Sequence, residues 1–171
     1  MKIILEGPDG AGKTTLANQL MEKYGAKYFH SSSKTENTQD YHIDLLFNEG
    51  NVVYDRFFIG EYVYSAVFDR QCKLNNHDLL FLSSLADSQK CLIVVLYTSN
   101  VYSIFNRLNH RGGESKAIID NLVEINSMFK LIGKTLISDK RNVLCIDIET
   151  TPNVLEVITN KLEELKYDEF K

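Results

Sequence analysis

At 171 residues, with 44% hydrophobic and 25% charged residues, the chain has the length and balance of one soluble domain, which excludes a disordered or fibrous polypeptide. A net charge of -4 disfavours sequence-independent binding to duplex nucleic acid, which needs a clustered basic surface. No apolar run approaches the ~20 residues of a membrane span, so no membrane association is expected. Lys2 to Glu6 is a short apolar run stopped by Gly7-Pro8-Asp9-Gly10, the pattern of a buried parallel strand meeting a tight turn. It leaves no room for a signal sequence, and Cys72, Cys91 and Cys145, odd in number, read as small core residues in a reducing cytoplasm. A helix over Lys13 to Tyr24 follows, with Leu16, Leu20 and Tyr24 four residues apart and Gly25 as its terminator.

A brief strand at Lys27 to His30 leads into the polar residues 31–37, a surface loop placed where it can cover a ligand. Asp40 to Asn48 reads as a helix, Asn51 to Tyr54 as a strand ending on Asp55-Arg56, Phe57 to Phe68 as an aromatic helix, and Asp78 to Ser88 as a leucine-spaced helix. Cys91 to Leu96 is the clearest buried strand. Beyond it the pattern predicts a helix at Val101 to Leu108, a basic glycine turn at Arg111-Gly112-Gly113, and one long helix through Ile118, Leu122, Ile125, Phe129 and Ile132. A last strand at Asn142 to Ile146 precedes a terminal helix capped by Thr151 with Pro152 at its first position. Strands and helices alternate throughout, which predicts an α/β fold with a parallel sheet covered by helices on both faces.

Gly7, Pro8, Asp9, Gly10, Ala11, Gly12, Lys13 and Thr14 satisfy G-x-x-x-x-G-K-[ST] between a strand and a helix. The glycines let backbone N–H groups curl around phosphates, and the positive end of the following helix adds to the attraction. Lys13 is placed to reach the β- and γ-phosphates of ATP, and the Thr14 hydroxyl to bind Mg²⁺. The motif is shared by kinases, GTPases and ATPases, so it predicts nucleotide binding and leaves the reaction open.

The segment Leu5 to Thr15, together with Asp55-Arg56-Phe57 after a strand, resembles the thymidylate kinase family of nucleoside monophosphate kinases; Arg107 and Arg111, four apart, resemble the arginines of that family's lid. The resemblance implies a P-loop NTPase fold with a five-stranded parallel sheet, a single kinase domain over 1–171 with a lid at about 107–116, and a homodimer as a reasonable state. It implies that Thr15 joins the ATP-binding segment and that Asp9 faces the acceptor sugar. Arg56 grips the acceptor phosphate, Asp55 sits beside the metal with Thr14, and Arg107 and Arg111 close over the transferring group. With Lys13 these form the expected catalytic set: Lys13, Asp55, Arg56, Arg107 and Arg111. Phe57 and Glu61 join Asp9 and Arg56 as expected acceptor contacts.

Each assignment has a plainer alternative. The plainer reading of Asp55-Arg56 is a surface ion pair, that of Arg107 and Arg111 a solvated helix face, and that of the aromatics Phe57, Phe58, Tyr62, Tyr64 and Phe68 core packing; function is the favoured reading for the first two. His30, His42, His77 and His110 lie scattered without metal-ligand spacing and read as ordinary histidines. Residues 31–50 contain Tyr41 and Phe47 but no arginine, where the family carries one for the acceptor phosphate, and Gly112-Gly113-Glu114-Ser115 departs from its lid. The acceptor is therefore open between a nucleoside monophosphate, a nucleoside and a hydroxymethylated base in DNA. A non-catalytic nucleotide-binding regulator is the alternative of another class.

Overall fold

A computed structural model of the protein describes residues 1–32, 38–139 and 142–167. Five strands, β1 (Lys2–Glu6), β2 (Lys27–His30), β3 (Val52–Asp55), β4 (Cys91–Tyr97) and β5 (Val143–Asp147), form one sheet in the order β2-β3-β1-β4-β5. Every neighbouring pair is parallel, and the register pairs Leu5 with Asp55 and His30 with Asp55. Alternation along the strands divides the core in two. Ile4, Tyr54, Ile93 and Val95 face one cluster, and Ile3, Leu5, Val53, Leu92 and Val94 face the other.

The first face is covered by α2 (Gln39–Leu46), α3 (Phe58–Val67), α4 (Asn76–Ser88) and α7 (Leu122–Asp139), which bury Leu46, Phe58, Leu82 and Phe129 against the sheet. The second is covered by α1 (Lys13–Tyr24), α5 (Val101–Arg111) and α8 (Val154–Tyr167), which bury Leu20, Ile104 and Ile158. Both faces are thus covered, as the alternating pattern predicts. Because β1 has β3 on one side and β4 on the other, the chain reverses its winding direction at β1. An open sheet places its ligand crevice at the carboxyl ends of such strands. Cys91 is buried, and all three cysteines are free thiols.

Two boundaries differ from the sequence expectation. The long helix is two: α6 (Lys116–Asp120) and α7, separated at Asn121, whose side chain bonds the Ala117 carbonyl at 2.9 Å. Ile118 packs against one core cluster while Ile119 and Leu122 pack against the other, so the segment turns across the end of the sheet. The terminal helix starts at Val154, not Pro152: Asn153 accepts from the Glu156 backbone N–H at 3.1 Å and acts as its cap, leaving Thr151 and Pro152 in the preceding turn. The expected covering loop at 31–37 falls largely on residues 33–37, outside the described residues. Among the described residues no helix is long and apolar enough to cross a membrane.

Candidate active site

The segment Gly7 to Gly12 links the carboxyl end of β1 to the N-terminus of α1 with positive φ at Gly7 (145°), Gly10 (80°) and Gly12 (84°). At Gly7 a Cβ atom would lie 2.6 Å from the Leu96 carbonyl oxygen, so the loop hugs β4 only because that residue has no side chain. The Lys13 side chain folds back into the loop, donating to the carbonyls of Gly7 and Pro8, each at 2.8 Å. Burial lowers its pKa, while the carboxylates of Asp9, Asp55 and Glu6 act the other way. The loop forms the floor of a cavity of about 780 Å³, walled by α5 through Arg107 and Arg111 and by the turn at Thr151 to Asn153 with the first residues of α8, Val154 and Leu155. Thr15 lines it as well.

Beside the loop, Asp55 is buried at the end of β3. Its Oδ2 accepts from the Thr14 hydroxyl at 2.7 Å and from the Tyr28 phenol at 2.9 Å, while Oδ1 has no hydrogen-bond partner among the described residues. Burial and the bond to Asp55 push the Tyr28 pKa up to about 12, which keeps the phenol a donor. An orphaned buried carboxylate oxygen beside a hydroxyl, on the wall of the large cavity, is a donor set that fits a hard divalent cation such as Mg²⁺.

Arg56 occupies the left-handed region with φ 67°, uncommon for a residue with a side chain. Its guanidinium is bound to Asp9 Oδ1, and the Tyr64 hydroxyl donates to Asp9 Oδ2 at 2.9 Å. Burial and the Asp9 carboxylate raise the Tyr64 pKa well above the ordinary value. Arg56 borders the large cavity and also a second one of about 310 Å³, lined by Tyr64, Phe68, Glu61, Arg70 and the start of α6. There Arg70 grips Glu61 with two nearly parallel bonds of 3.0 and 2.9 Å, and Ser65 donates to the same carboxylate at 3.0 Å. Tyr64 and Phe68 stack with ring centroids 6.0 Å apart at 25°. Phe57 also borders this cavity, yet only 1% of it is exposed, and its ring packs on His42, Tyr54 and Phe58. Its ring is thus a core group.

Glu6, fully buried, accepts backbone N–H bonds from Phe57 (3.1 Å), Ile59 (2.8 Å) and Gly60 (3.1 Å) at the start of α3. Burial pushes its pKa up to about 7, against the lowering effect of those three donors and of Lys13. On the far wall, Arg107 reaches Glu149 at 3.4 Å and Arg111 pairs with Glu114. Both guanidinium-bearing side chains are about half exposed, and Gly112 and Gly113, each with positive φ, follow directly.

The chain has the fold of the P-loop kinases. Over 98% of both chains it superposes on the YorR protein of Bacillus subtilis, solved in complex with phosphorylated GDP, with a TM-score of 0.76 and 23% identity. Over 96% of this chain and 100% of the other it matches deoxyadenosine kinase from M. mycoides with bound dCTP (TM-score 0.61, 20% identity). A gluconokinase from Sinorhizobium meliloti is similar over 99% of this chain and 95% of its own (TM-score 0.58, 13% identity). No protein-family model matches the sequence, and no curated protein matches it significantly.

The sequence-predicted residues Asp9, Lys13, Thr14, Asp55, Arg56, Arg107 and Arg111 all border the large cavity. The surface-pair reading of Asp55-Arg56 does not hold, since Asp55 binds Thr14 and Tyr28 while Arg56 binds Asp9. Glu61 lines the second cavity and is tied to Arg70, a partner that sequence reasoning passed over. The 151–155 wall and the Glu6 anchor were also missed. His30, read as ordinary, stands at the cavity wall with Nδ1 3.7 Å from Asp55 Oδ2.

Proposed function

We propose that the protein is an ATP- and Mg²⁺-dependent phosphotransferase that moves the γ-phosphoryl group of a nucleotide in the large cavity onto a (deoxy)nucleoside monophosphate in the smaller one, as a thymidylate kinase-like enzyme does. The observation that carries this reading is Arg56: from a strained backbone position it borders both cavities, where a group passing between them needs a cation. The structural neighbours solved with phosphorylated GDP and with dCTP support nucleotide binding on this fold.

In this scheme the loop N–H groups of residues 10–14 and Lys13 hold the donor's phosphates, and Arg107 and Arg111 swing over them from α5. Mg²⁺, held by Thr14 and Asp55, supplies charge neutralisation on the donor's phosphate oxygens. Asp9 and Tyr64 orient the acceptor sugar, Arg56 fixes the acceptor phosphate in line, and Tyr64 and Phe68 offer an aromatic wall to its base. The Glu61–Arg70 pair fixes the inner end of that cavity.

A second reading, a nucleoside acceptor, is favoured by one specific observation: both arginines of the smaller cavity are already engaged by carboxylates, Arg56 by Asp9 and Arg70 by Glu61. The deciding experiment follows ADP release from ATP and Mg²⁺ across a panel of nucleoside monophosphates and nucleosides, with Lys13→Ala as control. Stimulation by a monophosphate supports the first reading and stimulation by a nucleoside the second. ATP binding with no acceptor-stimulated release overturns both in favour of a regulatory protein.

A further inference from the structure

The parallel register of β2 and β3 pairs His30 with Asp55, so their side chains leave the sheet on the same side at its carboxyl edge. Tyr28, two residues earlier on that side, donates to Asp55 Oδ2 at 2.9 Å and stacks on the His30 ring (centroids 6.4 Å apart, 19° between planes). The ring is thereby held at the wall of the large cavity, Nδ1 3.7 Å from Asp55 Oδ2, itself 2.7 Å from the Thr14 hydroxyl. Donors that share one cation at bonds of about 2.1 Å lie roughly 3 Å apart when adjacent, and a small shift brings both separations to that value. Among the described residues Asp55 Oδ1 is buried without a hydrogen-bond partner. Among the described residues no three His, Cys, Asp or Glu side chains gather as a closed metal cage, so an ion here completes its shell with the Thr14 hydroxyl, donor phosphate oxygens and water.

We infer that His30 is a third protein donor to the catalytic cation, giving a hydroxyl–carboxylate–imidazole site that takes Mn²⁺ or Co²⁺ in preference to Mg²⁺. The inference rests on the reading of Thr14 and Asp55 as the metal-holding pair. Its chemical basis is ligand type: oxygen donors alone suit Mg²⁺, whereas an imidazole shifts preference toward first-row transition ions.

The test is made on the full chain with Mn²⁺ as probe, with and without ATP. Pulsed electron paramagnetic resonance reads whether the bound ion couples to a ¹⁴N nucleus of an imidazole, and loss of the free-ion signal gives its affinity. The expected result is nitrogen coupling in the wild type that vanishes in His30→Ala, Mn²⁺ affinity reduced roughly tenfold or more by that change, and a smaller reduction for Mg²⁺ measured by competition. His30 is partly exposed, so the variant should fold, and an unchanged melting temperature checks this. Absence of nitrogen coupling in the wild type, or equal Mn²⁺ affinity in both proteins, overturns the inference even where Mg²⁺-dependent phosphoryl transfer is intact. Nitrogen coupling in a protein that transfers to no acceptor upholds the site and removes only the kinase reading.

Discussion

The Arg56 guanidinium is bound to the Asp9 carboxylate, joining the phosphate loop after β1 to the end of β3 at the boundary between the two cavities. Arg56 adopts φ 67° to make that reach, a conformation that costs a residue with a Cβ about 1–2 kcal/mol. Replacement by glycine and by alanine should therefore separate strain from function. Both variants should lose phosphoryl transfer by about 10³ or more, yet Arg56→Gly should unfold at higher denaturant than Arg56→Ala by about 1 kcal/mol. Equal stability of the two would remove the strain from this account.

The loop glycines divide in the same way. A Cβ at Gly7 meets the Leu96 carbonyl oxygen at 2.6 Å, whereas at Gly12 it meets nothing within 4 Å. Gly12→Ala should cost only the positive-φ penalty of about 1 kcal/mol. Gly7→Ala, which must also push β4 aside, should cost about 3 kcal/mol or more. Urea denaturation of the two variants side by side gives the comparison.

Arg107 and Arg111 lie on one face of α5 with half-exposed side chains and partly buried carboxylate partners. Their replacement by alanine should change stability by no more than about 0.5 kcal/mol. If they act as arginine fingers, kcat should fall by about 10³, most for Arg111 beside the Gly112-Gly113 hinge, while ATP affinity measured by titration changes far less. An unchanged kcat would return both to the solvated surface.

Stability should fall in acid through His42. It is fully buried against Phe57, neither ring nitrogen has a partner among the described residues, and burial lowers its pKa from 6.5 to about 4. The unfolded chain takes up the proton near pH 6.5 and the folded one only near 4. The contribution of neutral His42 is thus intact above 6.5 and is lost as pH falls through that interval, to a total of about 3 kcal/mol. Glu6 runs the other way: its pKa is raised to about 7, so its contribution is present below its ordinary 4.5 and is lost as pH rises through 7. Between pH 7 and 4.5 the two contributions oppose each other, so thermal melts should show little net change in the wild type, while His42→Phe, which leaves only the Glu6 contribution, should gain stability as pH falls.

How much of this was legible follows from where the information lies along the chain. The phosphate loop is contiguous, and strand–helix alternation is a local pattern, so the fold and the positions of Lys13, Thr14, Asp55 and Arg56 could be read directly. The break at Asn121 could not, because apolar spacing runs through it without interruption while the packing partner changes from one face of the sheet to the other. Glu61 and Arg70 are nine residues apart with a helix end between them, so their pairing depends on how the chain leaves α3. His30 meets Asp55 only through the β2–β3 register. The wall at 151–155 combines the turn before α8 with its first residues, because α8 is capped by Asn153, two residues later than the threonine–proline signal suggests.

The three bonds from α3 to Glu6 have a mechanical meaning. Glu6 ends the central strand that feeds the phosphate loop, and α3 carries Glu61 and Tyr64. The floor of the large cavity and a wall of the smaller one are thus bolted to a single chassis, and on the proposed reading the spacing between the reacting groups is built in when the chain folds. On the proposed reading the jaw that closes is the opposite one, the end of α5 at Arg111 followed by Gly112 and Gly113, so the protein should work like a vice with one fixed face.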